Sequence, residues 1–105
     1  MDIDKEIAEK VMRWEWKEDH WQSFDGTEEV YFFDEWKPSE RIEQAWMVVE
    51  KMISKKYEVR VSYDWFSRLW LVEFWDTDLN CFDAVVKTAS EAICKAALKC
   101  VEDKK

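Results

Sequence analysis

The chain has 105 residues, 48% hydrophobic and 38% charged, which predicts one domain over residues 1–105 with a core of its own. It has one glycine, Gly26, and one histidine, His20, which excludes glycine-rich phosphate-binding loops and zinc sites built on two histidines. Its 24 acidic residues outnumber its 16 basic ones, and the resulting charge of −8 disfavours direct binding to nucleic acid or to anionic membranes.

The first predicted element is an amphipathic helix from about Asp4 to Trp16. Apolar residues recur there every three or four positions, and charged residues fill the positions between them. This spacing is typical of a helix that buries one face. The residues of this stripe are Ile3, Ile7, Val11 and Trp14.

A β-hairpin is predicted next. Two short apolar runs, Trp21–Phe24 and Val30–Phe33, flank the chain's single Asp-Gly pair, Asp25-Gly26. Asp-Gly favours a tight turn because glycine adopts the positive φ that hairpin turns require. The pattern therefore indicates two antiparallel strands.

A second helix is predicted after Pro38. Ser39 is a residue type that caps helices, and Glu40 and Glu43 fall in the first turn, where the helix dipole favours carboxylates. The apolar positions that follow form the clearest helical stripe of the chain. They are Ile42, Ala45, Trp46, Val49, Met52 and Ile53.

Three strands are predicted after this helix. Tyr57–Tyr63 alternates apolar and polar residues, whereas Leu69–Trp75 is apolar on both faces apart from Glu73, which is typical of a central strand covered on each side. The third strand is Cys81–Val86. Turns at Asp64–Ser67 and Asp76–Asn80 would join the three strands into a mainly antiparallel sheet.

A last helix is predicted to begin at the capping box formed by Thr88 and Glu91. Its small alanine residues would let it approach a neighbouring element closely. The element order is therefore α-β-β-α-β-β-β-α. The predicted fold is of the α+β class, a mainly antiparallel sheet sandwiched by helices.

The cysteines indicate a reducing compartment. Cys81, Cys94 and Cys100 are odd in number and lie in otherwise apolar stretches, so we interpret them as small buried residues without disulfides. No apolar run is long enough to span a membrane, and the N-terminus lacks the pattern of a signal peptide. We therefore expect a cytoplasmic protein.

The segment from Asp76 to Asn80 resembles the start of a calcium-binding EF-hand loop. The rest of that motif is missing, because Cys81 replaces its glycine and Lys87 its bidentate glutamate. A hairpin turn built from Asp and Asn explains the same residues without a metal. We therefore predict no metal site and no cofactor.

The aromatic content is unusual, with eight tryptophans in a short chain. Some aromatic residues, including Trp14, Trp46 and Phe74, fit predicted core positions. Others fall near turns or strand ends, where they would either close the edge of a small core or line a subunit interface, since tryptophan is enriched at binding hot spots. The candidate interface residues are Trp21, Trp36, Trp65 and Trp75.

A ligand-binding group around the turn that carries Trp65 is one of two interpretations of the arginines there. Arg60 and Arg68 lie on the two strands that this turn joins, and two guanidinium groups beside an indole can clamp a phosphate and stack a base. The alternative is that Arg60 pairs with Glu58 or Glu73 across the sheet.

Three helical segments resemble the landmark segments of the phage ABA sandwich domain family. They lie in the same order and cover most of the chain, from about Ile7 to Val101. The resemblance implies a helix-sheet-helix sandwich and a small protein of phages or prophages, but it implies no activity. Together with the cytoplasmic location expected above, it predicts a protein of the cytoplasm of the bacterial host. The segments are Glu9–Trp14, Ala45–Met52 and Ala92–Leu98.

The missing catalytic motifs and the surplus aromatic residues favour a phage accessory protein that acts by binding and is not an enzyme. Its partner would be a host protein or a small anionic signal such as a nucleotide, sequestered between the subunits of a homo-oligomer. The alternative is an acidic DNA mimic that inhibits a host DNA-binding protein, which the charge of −8 motivates. An enzyme that uses scattered carboxylates is the hypothesis that the residues support least.

Overall fold

The computed structural model describes residues 3–17, 20–23, 31–32 and 35–102. The elements in chain order are α1 (Ile3–Glu6), a π-helical turn (Ile7–Val11), β1 (Trp14–Lys17), β2 (His20–Ser23), β3 (Tyr31–Phe32), α2 (Ile42–Ser54), β4 (Glu58–Asp64), β5 (Leu69–Trp75), β6 (Cys81–Val86) and α3 (Ala89–Glu102). We call α1 and the π-helical turn together the N-terminal helix. None of the helices in the described ranges is both long and apolar enough to cross a membrane.

The strands form two antiparallel three-stranded sheets, ordered β1-β2-β3 and β4-β5-β6. In the larger sheet β5 is central, and Val72 lies opposite Val61 on one side and Ala84 on the other. Helix α3 packs on β5 and β6, and α2 packs on α3 and contacts β4. The predicted α+β class, an antiparallel sheet packed with helices, is confirmed.

Helix α3 lies at the centre of the molecule, against the N-terminal helix, α2, β5 and β6. Its N-terminus is capped as predicted, since the backbone N–H of Glu91 donates to Thr88 Oγ1 at 3.2 Å. Small side chains allow this helix to be covered on several sides at once. Its buried residues are Ser90, Ala92, Ile93, Cys94, Ala96, Ala97, Leu98 and Cys100.

The N-terminal helix is shorter than predicted. It ends near Val11, Arg13 adopts a left-handed backbone with φ of 62°, and Trp14 then begins a strand that the sequence did not predict. The apolar spacing predicted the end of this helix wrongly, because Trp14 and Trp16 continue the helical stripe and also alternate as strand residues do. The Nζ of Lys55 donates to the carbonyl of Val11 at 2.8 Å and so satisfies the end of the helix.

The predicted hairpin is present, because Trp21 of β2 pairs with Tyr31 of β3. Its Asp25-Gly26 loop lies outside the described residues. The hairpin belongs to the smaller sheet with β1, whereas the sequence pattern had placed all strands in a single sheet.

The predicted cap of α2 at Ser39 is wrong. The helix begins later, at Ile42, and Arg41 at its N-cap makes no side-chain capping bond. The N–H of Ser39 instead donates to Asp4 Oδ1 at 2.8 Å, and Gln44 Oε1 accepts from the N–H of Lys37 at 2.5 Å. The segment before α2 is thus tied to the N-terminal helix and to α2 itself.

Strand β5 is central, but it is not buried equally on its two faces. Val72 and Phe74 point into the core and are fully buried, while Leu71, Glu73 and Trp75 on the opposite face are only partly buried. The expectation that each face of this strand is fully covered is therefore met on the core face alone. The opposite face contains Glu73, so it combines apolar side chains with a carboxylate that needs water or a partner.

Candidate functional site

The most exposed aromatic side chains among the described residues lie in the turn between β4 and β5, which we call the aromatic turn (residues 64–68). Trp65 is 80% exposed and Phe66 95% exposed. Side chains of this size are normally at least half-buried in a folded domain, because each can remove about 150–250 Å² of surface from water. Their exposure therefore marks this turn as a candidate contact site.

The aromatic turn is held in one shape by Asp64. Its carboxylate accepts the N–H of Phe66 at 3.1 Å and the hydroxyl of Ser67 at 2.8 Å. The N–H of Arg68 donates to the carbonyl of Asp64 at 2.8 Å, and Arg68 has a φ of 61°. A turn closed by these bonds presents its aromatic side chains from an ordered backbone.

The same bonds lower the pKa of Asp64 below its ordinary value of 3.8, first through the Ser67 hydroxyl and next through the Phe66 N–H. Hydrogen bonds to the charged form stabilise that form. Asp64 is therefore a carboxylate at neutral pH.

Further apolar side chains are exposed on α2 and β4, two elements that are in contact with each other. Trp46 of α2 is 49% exposed, which corrects the prediction that it lies in the core. Val61 and Tyr63 alternate along β4, which follows α2 after three residues and contacts it. We call these side chains together the apolar surface. Its members are Ile42, Trp46, Ile53, Val61 and Tyr63.

Two of the four candidate interface tryptophans lie in the core of the chain itself. Trp21 is 3% exposed and Trp36 is 2% exposed. Trp36 packs edge-on against Trp14, with ring centroids 4.5 Å apart, and its Nε1 donates to the carbonyl of Asp4 at 3.1 Å. These contacts match the alternative interpretation, in which such residues close the edge of a small core, so we leave both out of the candidate surface.

The structure does not assemble the candidate ligand-binding group. Arg60 lies opposite Glu73, and its guanidinium is 5.9 Å from the centroid of the Trp75 ring, so it faces Trp75 and not Trp65. Asp64, where the aromatic turn begins, lies four positions after Arg60, which is about 13 Å along a strand. Arg68 lies in the turn itself, so the two arginines do not converge on one phosphate-sized ligand.

A third group of residues lies on the outer face of the larger sheet. The Sγ of Cys81 lies 3.6 Å from Glu73 Oε2 as a weak hydrogen-bond donor. Burial raises the pKa of the Cys81 thiol, and the adjacent Glu73 carboxylate raises it further. The thiol is therefore protonated at neutral pH and a poor nucleophile.

The segment that resembles an EF-hand start is a turn, as its alternative interpretation predicted. We call residues 76–80 the polar turn. Asp76 Oδ1 accepts the N–H groups of Asp78 and Asn80, each at 2.9 Å, and its Oδ2 accepts from Asn80 Nδ2 at 3.0 Å. Within the described ranges, no three His, Cys, Asp or Glu side chains are grouped so that they could hold a metal ion.

A cleft of about 430 Å³ lies between the N-terminal helix and the starts of α2 and α3. Two glutamates, Glu40 and Glu91, line it, and their charge opposes an anionic ligand. The Thr88 hydroxyl in this cleft already accepts the N–H of Glu91. The cleft therefore does not provide the phosphate site that the arginines failed to form.

The sequence pattern missed Phe66 and the apolar surface of α2 and β4. Alternation along β4 shows that Val61 and Tyr63 share a face, but it does not show whether another element covers that face. The available signal was the Trp65-Phe66 pair itself, since turns favour small polar residues.

Comparison with known proteins identifies what the chain is similar to. Residues 5–98 match the phage ABA sandwich domain family, which confirms the resemblance seen in the helical segments. The chain is also similar to a phage protein from Bacillus cereus ATCC 14579 of known crystal structure, with a TM-score of 0.74 and 30% identity over 99% of this chain and 88% of that one. No curated protein matches the chain.

Proposed function

Because this chain belongs to the phage ABA sandwich domain family, we propose that it is a phage accessory protein that acts by binding another protein and not by catalysis. The observation that carries the proposal is the aromatic turn, in which Trp65 and Phe66 are almost fully exposed. The partner would be a host protein with an apolar pocket that receives these side chains.

The physical argument compares the aromatic side chains exposed to water with the same side chains buried in a partner. Exposed aromatic rings keep water ordered against apolar surface and gain nothing for the fold, whereas burial in a partner's pocket releases that surface. Tryptophan anchors of this kind dominate the energetics of many interfaces. Because the Asp64 bonds already fix the turn, binding would order little additional backbone, which lowers its entropic cost.

The other candidate functions have less support. A small anionic ligand, nucleotides included, would need converging cations, but Arg60 lies over Trp75 and away from Arg68. A DNA mimic needs carboxylates in a continuous row, whereas Glu91 on α3 is paired with Lys95 at 3.2 Å. For an enzyme, the exposed thiol of Cys81 would be the natural nucleophile, and its raised pKa opposes that role.

A photo-crosslinking experiment tests the proposal. A benzophenone amino acid replaces Phe66 in one variant and Leu79 of the polar turn in a matched control, since Leu79 is also a highly exposed apolar residue in a turn of β5. Each variant is illuminated in an extract of Bacillus cereus, the organism of the similar phage protein. We expect position 66, and not position 79, to form an adduct with one bacterial protein.

Competition with excess unlabelled chain tests whether the crosslinked adduct is specific. Excess wild-type chain should abolish the adduct, and excess chain carrying Trp65→Ala should not. Equal labelling from positions 66 and 79 would contradict the proposal. So would an adduct whose only partner is a second copy of the 12.8 kDa chain.

A further inference from the structure

Strand β4 forms an open edge of the larger sheet. Among the described residues it pairs only with β5, and all of its residues except Val59 are exposed. Its seven residues contain no proline or lysine, and their charges have both signs, Glu58, Arg60 and Asp64, so an edge of this length can pair with a strand of complementary charge. We infer that the occupant of this edge is β4 of a second copy, so that two chains form one six-stranded antiparallel sheet.

The opposite edge of the same sheet is protected. The Nζ of Lys99 on α3 donates to the backbone carbonyl of Asp83 on β6 at 2.5 Å, and it lies 4.0 Å from the carboxylate of that residue. A lysine across an edge strand is one way in which proteins prevent sheet extension. The difference between the two edges selects β4 as the one left for pairing.

Apolar side chains next to the open edge fit a second copy. Val61 and Tyr63 of β4 are exposed, and α2, which contacts β4, exposes Trp46. A stable interface buries about 800 Å² per partner, so the paired β4 strands need apolar contacts of this kind beside them.

Charge selects the register of the pairing. In an antiparallel pair, residues directly opposite each other have their side chains on the same face of the sheet. A two-fold axis that relates two copies of β4 therefore passes beside a residue and not between two residues. The axes that pair most of the strand pass beside residue 60, 61 or 62. An axis at Arg60 would place two arginines opposite each other, and an axis at Val61 would place Glu58 opposite Asp64 of the second copy. Both arrangements put like charges directly opposite each other, which destabilises a sheet.

An axis at Ser62 removes this conflict. It places Arg60 opposite Asp64 of the second copy, twice by symmetry, and Val61 opposite Tyr63, also twice. The Asp64 carboxylate can accept from an arginine in addition to its bonds within the turn, since it has about four acceptor positions. In this register the two aromatic turns lie at opposite ends of the shared strand pair, about 25 Å apart, which leaves Phe66 free for the partner proposed above.

Cysteine trapping tests the register in the full chain, with Cys81→Ser removing the exposed native thiol. Ser62→Cys should form an intermolecular disulfide under mild oxidation, because residues facing each other across the axis have Cα atoms about 4.5–5.5 Å apart. Glu58→Cys is the control, since the same axis separates the two copies of residue 58 by more than 20 Å, at about 3.3 Å per residue. Efficient crosslinking of Glu58→Cys and not of Ser62→Cys would overturn the proposed register.

Sedimentation equilibrium tests the association itself. The wild-type chain of 12.8 kDa should reach twice that mass, and Tyr63→Lys should weaken the association at least tenfold. Val85→Lys, on the protected edge strand β6, should leave it unchanged. A wild-type chain that stays monomeric at 100 μM would overturn the inference, while the Phe66 adduct with a bacterial protein would still stand, so the two proposals fail separately.

Discussion

The two turns that flank β5 share a construction and differ in what they display. Each begins with an aspartate, Asp64 or Asp76, whose carboxylate accepts hydrogen bonds from the residues that follow. Each also contains a non-glycine residue with positive φ, Arg68 at 61° and Leu79 at 67°. Between these positions the aromatic turn carries Trp-Phe-Ser, whereas the polar turn carries Thr-Asp.

The polar turn shows what a hairpin of this sheet requires. An aspartate and one left-handed residue close it, without any aromatic side chain. The aromatic pair of the other turn is therefore not needed to join β4 to β5. Since it remains exposed, it adds little to the packing of the fold, which is consistent with the binding role proposed above.

The largest predicted effect is a difference in the free energy of unfolding between alanine substitutions of two phenylalanines. Phe74→Ala, at a fully buried position near the end of β5, should lower the free energy of unfolding by about 3–5 kcal/mol, because it leaves a cavity in the core. Phe66→Ala in the aromatic turn should change it by less than about 0.5 kcal/mol. Urea denaturation followed by circular dichroism measures both. A loss above about 2 kcal/mol for Phe66→Ala would show that the turn does support the fold.

A smaller difference in the free energy of unfolding is predicted between substitutions of the aspartates that begin the two turns. Asp76→Ala removes acceptors for three hydrogen bonds at a partly buried position and should lower the free energy of unfolding by about 1–3 kcal/mol. Asp64→Ala, at a fully exposed position with two such bonds, should cost less. Thr77→Ala in the polar turn is the control and should be near neutral. Equal losses for the two aspartate variants would mean that the turns are not distinguished by burial.

The sequence predicted the elements whose signals are local. The capping box of Thr88 and Glu91 and the helical stripe that follows gave α3 correctly, and alternation gave β4. The end of the N-terminal helix was not predictable in this way. Arg13 takes a left-handed backbone without glycine or proline to mark it, and tertiary contacts such as that of Lys55 with Val11 determine where the helix stops.

The candidate site was predicted less well, for a related reason. A periodic stripe shows which residues share a face but not what covers that face, so Trp46 was assigned to the core and is half-exposed, while Trp36 was a candidate interface residue and is buried. Coverage depends on contacts distant in sequence. Trp65 could be predicted as exposed because its turn is visible in the sequence itself.

The smallest predicted effect is a change of pH confined to the aromatic turn. The pKa of Asp64 lies below its ordinary 3.8 because the charged form accepts bonds from Ser67 and Phe66, so these bonds persist above that value and are lost as the pH falls through the lowered pKa. The amide proton of Phe66, followed by NMR, should shift with a midpoint below 3.8, while the amides of the buried core strand β5 stay constant there. In Ser67→Ala the midpoint should move upward, because the largest cause of the lowering is gone, and in Asp64→Asn the titration should disappear. A wild-type midpoint at or above 3.8 would mean that the carboxylate does not hold the turn in solution, and the ordered display of Trp65 and Phe66 would lose its physical basis.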